Sequence, residues 1–374
     1  MEFLYIVLLL LAAAFLQRLI YTRHAFRRLD YTCRFDRTEA SEGEELKLVE
    51  TVQNRKLLPL PWLKAEITAS EALQFAGSQS LITDGTRFVP SFFTMKGYHK
   101  VVRSWNVTCL KRGVYPIQKV VLVSTDLIGL GTLSQPVAVS SELTVLPKPA
   151  DLPNTFQSAQ RMNGDILVRR HLLHDPFLIA GVREYLPRDP LNRIHWPATA
   201  KAGRLMVHNN LFTADQNLLV ILNMQSRPYE TRKVIDEEKV EIGIRACAGL
   251  FDDTLRSGLP VRFAVNAGIG SGKAGIVTNE YHGAEHIHDL MRTLAKLRLE
   301  SSDPFPVFLN GVCSRLTASD IVIVTSYLSE TLYRFARERQ AGGAHVKLIY
   351  TSRITDEVIP GDCEVYGYAK EAVQ

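Results

Sequence analysis

The sequence is poor in the residues that mark dedicated chemistry. Its five cysteines (Cys33, Cys109, Cys247, Cys313, Cys363) are scattered, and none forms a C-x-x-C pair. That excludes zinc-ribbon and dithiol redox modules and a disulfide-held miniprotein. No Gly-x-Ser-x-Gly elbow is present, which removes the commonest serine-hydrolase signature. Internal repeats and low-complexity tracts are missing, so solenoid, collagen-like and coiled-coil chains are excluded. Only one long apolar run occurs, so the chain is not polytopic. With 46% hydrophobic residues over 374 positions there is material for ordinary cores, and the length suits two domains.

Excess charge is also scarce, and what exists is local. The net charge is +5. Residues 17–37 hold six arginines (Arg18, Arg23, Arg27, Arg28, Arg34, Arg37) against Asp30 and Asp36, which accounts for nearly all of it. A nucleic-acid binder needs a basic face on its folded domain, and this distribution does not supply one.

The arginines follow an apolar segment. Phe3–Leu16 is unbroken, and Leu19, Ile20 and Tyr21 extend it past Gln17 and Arg18. The run is short for a bilayer span unless Arg18 snorkels to the headgroups. A cleaved signal peptide is the rival, but Glu2 precedes the run without a lysine or arginine, and Ala12–Ala14 lies too early for cleavage. A buried N-terminal helix is the third alternative. Read as a retained anchor with its positive flank in the cytoplasm, the segment predicts a single-pass inner-membrane protein whose bulk is cytosolic. The Arg-rich stretch would then meet anionic lipid headgroups. In that compartment the cysteines are buried thiols, whereas an extracytoplasmic location would allow Cys33 and Cys109 to pair. The Asn106-Val107-Thr108 sequon is then silent.

Beyond the anchor (1–28), short alternating runs at Leu46–Val52, Leu63–Thr68, Ser104–Leu110, Val120–Val123 and Leu143–Leu146 are punctuated by turn residues such as Asp84-Gly85 and Lys111-Arg112-Gly113. This rhythm predicts an antiparallel β-sandwich over 29–149, closed by Leu146-Pro147-Lys148-Pro149. Residues 150–214 are irregular. From 215 to 374 the pattern changes to an α/β one. Continuous apolar strands at Leu218–Leu222 and Ile321–Val324, with further strands at Val261–Val265 and Val346–Tyr350, alternate with helices in Val234–Leu255, His286–Leu299 and Glu330–Arg339. Strands apolar on both faces predict a mostly parallel sheet covered on both sides.

Within the irregular stretch, Gly181–Leu205 carries Arg183, Tyr185, Pro187, Asp189, Arg193, Ile194, Trp196, Ala200, Gly203 and Leu205. This spacing resembles the signature of the bacterial family called domain of unknown function 58, with Arg188 where members often have Gly. Arg112-Gly113-Val114-Tyr115 and Asp126–Leu130 extend the resemblance into the sandwich. The resemblance implies that residues from about 215 onward form a von Willebrand factor A-like fold. It also implies association with a MoxR-type AAA+ ATPase.

Such domains often bind a divalent metal through Asp-x-Ser-x-Ser at the end of the first strand. The corresponding positions here are Asn223, Gln225 and Arg227, and the loop after the third strand offers Thr325 and Ser326. Two amides and a cation are a poor cage for a hard ion, so the metal site is read as lost and no cofactor is expected. Asp215 and Ser226 are the candidates for a shifted site. In an open α/β sheet the binding crevice lies beyond the carboxyl ends of the strands. That makes Asn223–Arg227, Asn266–Gly270 and Thr325–Tyr327 a candidate contact surface. The signature residues Arg183, Tyr185, Pro187, Asp189, Arg193 and Trp196 have two readings. They pack and ion-pair internally, or they present a docking surface of the residue types enriched at hot spots.

Three further clusters carry an alternative enzymatic reading. Gly270–Lys273 follows a strand like a phosphate loop, but Ala267 and Ala274 replace the first glycine and the Mg²⁺-binding hydroxyl of a Walker A motif. His282, His286 and His288 crowd seven residues, but Gly283 interrupts the helix a zinc pair would need. His171, His174, Asp175 and His195 lack a legible nucleophile. A flexible turn and solvated or structural histidines are the plainer accounts. The sequence thus points to a non-enzymatic, membrane-anchored adaptor or scaffold, working with the ATPase in assembly or maturation of envelope-linked complexes. A nucleotide- or metal-dependent enzyme and a metal-gated adhesion module are the alternatives.

Overall fold

The protein is described here by a computed structural model. It describes all residues except Met1, Leu130, 159–178, 186–193, 211–216, Gly258, 270–271, Lys273, 281–282, 354–362 and 369–374. The chain divides into two compact units, Met1–Lys148 (with Leu294–Lys296) and the remainder.

The first unit opens with helix α1 (Glu2–His24). Its Phe3–His24 stretch is long and apolar enough to cross a membrane. Ten strands follow: β1 (Leu29–Phe35), β2 (Glu39–Ser41), β3 (Glu45–Asn54), β4 (Leu60–Ser70), β5 (Leu73–Phe75), β6 (Leu81–Thr83), β7 (Thr86–Met95), β8 (Lys100–Cys109), β9 (Gly113–Thr125) and β10 (Thr132–Leu146). They form two sheets, ordered β1-β3-β8-β5 and β2-β10-β9-β4-β7-β6. Pairing is antiparallel except that β2 runs parallel to β10, a departure from the wholly antiparallel sandwich expected. Asp84 and Gly85 join β6 to β7 with both φ angles positive (50° and 73°), the two-residue turn whose twist suits a hairpin.

The period-2 alternation that identified these strands also places a charge inside. In β3, Leu46, Leu48 and Val52 face the core with Glu50, which is fully buried. Tyr31 Oη (2.6 Å), Ser91 Oγ (2.5 Å) and Trp105 Nε1 (2.6 Å) donate to its carboxylate. These donors come from β1, β7 and β8, so one carboxylate ties strands of both sheets. Burial, with Glu50 beside it, pushes the Tyr31 phenol far above its ordinary range, so the hydroxyl remains a donor.

The second unit contains α2 (Leu152–Thr155), β11 (Phe156–Ser158), β12 (Ile179–Glu184), α3 (Trp196–Ala202), β13 (Met206–Asn210), β14 (Leu218–Leu222), α4 (Glu237–Ser257), β15 (Val261–Val265) and β16 (Ile276–Val277). It continues with α5 (Ala284–Lys296), α6 (Phe305–Gly311), β17 (Asp320–Thr325), α7 (Glu330–Ala341), β18 (His345–Tyr350) and β19 (Glu364–Tyr368). The main sheet runs β11-β19-β18-β17-β14-β15-β16. Strands β19, β18, β17, β14 and β15 are parallel, and β11 and β16 are antiparallel edges. Every residue of β14 is buried, as a strand covered on both faces requires. Leu219, Ile221, Ile321, Ile323 and Leu348 pack with Phe305, Phe308, Leu332 and Phe335 of α6 and α7. On the opposite face Gly243 of α4 lies over Leu222 and Val324. A glycine is needed at 249, where a methyl group would lie 2.4 Å from the Ala150 carbonyl oxygen.

All five cysteines are free and buried. Burial raises the thiols of Cys33 and Cys313 to about 12 and Cys109 to about 11, so none of these three is a ready nucleophile near neutrality.

Replacing Glu50 with Ala leaves two buried donors, Tyr31 and Ser91, and the half-buried Trp105 without that acceptor, each buried one costing about 1–3 kcal/mol. We expect the variant to lose about 3 kcal/mol and its melting midpoint to fall by roughly 6–12 °C, measured by thermal denaturation of detergent-solubilised protein.

Candidate functional site

Strand order reverses between β14 and β17, because β15 follows β14 to one side and β17 lies on the other. An open α/β sheet has its ligand crevice at such a point. The segments that leave these strands are Asn223–Ser226 and Ser326–Tyr327. Between them lies a dense hydrogen-bond network. Asn223 Nδ2 donates to Thr325 Oγ1 (3.0 Å), directly across the switch point. Asn223 Oδ1 accepts from Gln225 N (2.9 Å), and Asn266 Oδ1, from the end of β15, accepts from Met224 N (2.8 Å). Gln225 Oε1 accepts from Phe305 N (2.7 Å) at the start of α6 and from Tyr327 Oη (3.1 Å). Burial holds the Tyr327 phenol above its ordinary range, so it stays protonated and donating. Thr351 Oγ1 donates to Ser326 Oγ (2.9 Å).

The network corrects one expectation. Asn223, Gln225, Thr325, Ser326 and Asn266 were candidates for a contact surface, yet all are buried. The reason is that their polar groups bond to one another and to neighbouring backbone, which closes the crevice. Of the five strand-end candidates, Arg227 alone is exposed. Ser226, considered for a shifted metal site, is held by Glu230, and Asp215 lies outside the described residues.

The loop beyond Ser226 contains what the sequence reading missed. Glu230, 7% exposed, accepts from Ser226 N (2.5 Å), Ser226 Oγ (2.6 Å), Arg227 N (3.4 Å) and Ile235 N (2.6 Å). Its backbone carbonyl accepts from Gln225 Nε2 (2.5 Å). This clamp holds Tyr229 and Arg232 at φ of 65° and 63°, a region ordinary side chains avoid. The loop is tied at Ser226, Arg227 and Ile235, and its outer surface carries Tyr229, 98% exposed, with Arg227, Arg232, Lys233 and Ile235 exposed around it. A signal was available in Arg227-Pro228-Tyr229-Glu230, an aromatic and an arginine fixed by proline between a strand and a helix.

The signature residues form a small separate structure. β12 pairs with β13, placing Arg183 opposite Val207, and the half-buried Tyr185 donates its N–H to Leu205 O (2.9 Å). Trp196 opens α3, which His195 caps by accepting from Ala198 N at Nδ1 (2.9 Å). Trp196 is 66% exposed, which does not fit the reading in which it packs inward. Pro187, Asp189 and Arg193 lie outside the described residues, as do His171, His174 and Asp175.

The alternative clusters gather no site among the described residues. Gly270, Ser271, Lys273 and His282 are not described. His286 Nε2 bonds to Val261 O (3.0 Å), and His288 is exposed two positions further along the same helix. No group of three His, Cys, Asp or Glu side chains able to hold a metal converges among the described residues.

Residues 181–363, just under half of the chain, match the family model described as "Protein of unknown function DUF58". The "Uncharacterized protein YeaD" of Bacillus subtilis (strain 168) is similar at 22% identity over 334 residues, covering 87% of this chain and 76% of that relative. Solved structures with local likeness include a CARDB domain from Pyrococcus furiosus, with 12% identity, 32% of this chain and 91% of that chain covered, and a TM-score of 0.22. A non-cellulosomal cohesin from the archaeon Archaeoglobus fulgidus matches at 10% identity, 31% and 91% coverage, and a TM-score of 0.23.

Asn223→Asp tests the closed crevice. Thr325 Oγ1 already donates to Tyr327 O (2.9 Å), so the new carboxylate oxygen would face a lone pair in a buried setting. We expect a stability loss of about 2 kcal/mol that millimolar Mg²⁺ does not restore, measured as the melting midpoint with and without the ion.

Proposed function

We propose that the chain is a non-enzymatic adaptor held at the cytoplasmic face of the inner membrane by α1. In this reading its α/β unit is a von Willebrand factor A-like domain that has exchanged an ion site for internal hydrogen bonds. Counted from β14, the strands of its sheet lie in the order 3-2-1-4-5-6 with an antiparallel hairpin strand at the third place, an arrangement compatible with that fold. The donor set at the strand ends does not fit a hard divalent ion: it consists of amides and hydroxyls already bonded to protein, with Arg227 beside them.

The observation that carries the adaptor reading is the Glu230-clamped loop. Tyrosine and arginine are the residues most often found at the energetic centre of protein interfaces. A loop already fixed in its bound shape loses little entropy on association. Here Tyr229 stands free of its own protein on a backbone that Glu230 holds in place. The basic flank Arg227, Arg232 and Lys233 suits a partner with an acidic pocket rim. The exposed Trp196 offers a second contact. The family resemblance makes a MoxR-type AAA+ ATPase the partner, and assembly or maturation of envelope-linked complexes the role. The arginines between residues 18 and 37 orient the bulk of the chain to the cytosol.

The test is co-purification of the full chain from membranes with a nucleotide-dependent ATPase. Tyr229→Ala with Arg232→Ala should weaken the association tenfold or more, at about 2 kcal/mol for a hot-spot side chain, while circular dichroism is unchanged. Equal capture by variant and wild type would remove the loop from the interface. Wild-type protein that captures no ATPase, or that itself binds ATP, would overturn the adaptor reading in favour of the enzyme.

A further inference from the structure

The apolar run Phe3–Leu16 extends only about 21 Å as a helix, against roughly 30 Å of hydrocarbon. An upright helix entering at Phe3 would therefore keep Gln17, Arg18 and Tyr21 within the apolar layer. Two of these side chains donate to protein, while Gln17 Oε1 is buried without a hydrogen-bond partner. Gln17 Nε2 donates to Asp126 Oδ2 (3.1 Å), in the loop joining β9 to β10. Tyr21 Oη donates to Pro59 O (2.9 Å), in the loop joining β3 to β4. Asp126 and Tyr21 are 3% and 2% exposed. The loop joining β7 to β8 is bound to the second of these through Tyr98 N and Lys56 O (3.1 Å). Three sandwich loops thus gather at the last turns of α1.

Each of these loops exposes large apolar or aromatic side chains, with the exposed basic residues Arg55, Lys96 and His99 beside them on two of the loops. Leu127 and Ile128 follow the buried Asp126 and are 58% and 56% exposed. Leu57 and Tyr98, on the other two loops, are 76% and 71% exposed. Leu19 and Ile20 of α1 are also exposed at this level. Exposed Arg23, Arg27 and Arg28 follow directly on the chain, where anionic headgroups would lie. Aliphatic tips, an interfacial tyrosine and a basic collar form the pattern of a surface seated in a bilayer boundary.

We propose that the sandwich is itself part of the membrane anchor: the turn at 126–129 inserts Leu127 and Ile128 into the hydrocarbon–headgroup boundary of an anionic bilayer beside α1. The short apolar helix is completed in depth by this loop, and Asp126 seals Gln17 from lipid. The proposal rests on the retained-anchor part of the function proposed above.

The experiment uses the full chain in phosphatidylcholine–phosphatidylglycerol nanodiscs. Single-cysteine variants Leu9→Cys, Ile128→Cys and Ile82→Cys are labelled with an environment-sensitive fluorophore. The five native thiols are buried and do not compete under folding conditions. Ile82 is an exposed control on β6, paired with Arg87 at the end of β7 remote from the Tyr98 loop. Acyl-chain doxyl lipids should quench the Leu9 and Ile128 labels about twofold or more above the Ile82 label. Quenching at Leu9 alone would overturn the loop insertion and leave the anchor standing. Quenching at neither would overturn the anchor and the insertion together. Equal quenching at all three would mean general adsorption and also overturn the proposal.

Discussion

A parallel sheet buried on both faces must satisfy the polar groups at its carboxyl ends, and here the Asn223–Thr325 hydrogen bond does so at the point where strand order reverses. Every neighbouring arrangement is set against it. Asn223 turns its carbonyl oxygen to Gln225, which reaches the start of α6 and Tyr327, and its amide reaches the carbonyl of Glu230. Glu230 then fixes the loop that shows Tyr229 to solvent. Each such bond contributes about 1 kcal/mol net, but a buried partner left alone costs about 1–3 kcal/mol. The network is therefore held together by the penalty for opening it more than by the strength of any single bond.

The parts of the fold legible in the sequence are those whose burial imposes a period. Leu218–Leu222, Val261–Val265, Ile321–Val324 and Val346–Tyr350 stand within a residue of the observed strands because a doubly covered strand is almost wholly apolar, Arg262 and Lys347 being the exceptions. The helix expected within Val234–Leu255 is α4, Glu237–Ser257, and Gly258 follows its end as the stop signal suggested. Short or edge elements left no such trace. α6 has seven residues and begins beside Pro304, too brief for a 3.6-residue repeat to register. β19, Glu364–Tyr368, contains a glycine and an exposed glutamate.

The candidate site was legible in composition and not in role. Asn223, Gln225, Thr325 and Ser326 could be identified as poor metal ligands from their chemistry. Their burial could not, because it depends on bonds such as Tyr327 to Gln225 and on Asn266, Phe305 and Thr351, partners brought from separate segments only when the sheet forms. Glu230 was invisible for the same reason in miniature. A glutamate in a polar loop reads as solvated, and only the curled backbone of 226–235 turns its carboxylate inward. Likewise the alternation in Leu46–Val52 marks β3 but does not explain why Glu50 occupies an inward position; its three donors arrive from other strands.

A closed network and a clamped loop have a joint consequence for regulation. In an ion-dependent domain of this architecture, occupancy of the strand-end site can shift the equilibrium between two loop arrangements, and affinity follows the ion. Here a second arrangement would have to break the Asn223, Gln225 and Glu230 bonds, and an ion selecting it would have to offset that cost. A ligand with equal affinity for every state of a protein shifts nothing. If this loop is the docking element, control of binding has to reside in the partner. An ATPase whose surface changes with its nucleotide would supply that control, and on the reading proposed above this chain would supply a contact held at the membrane.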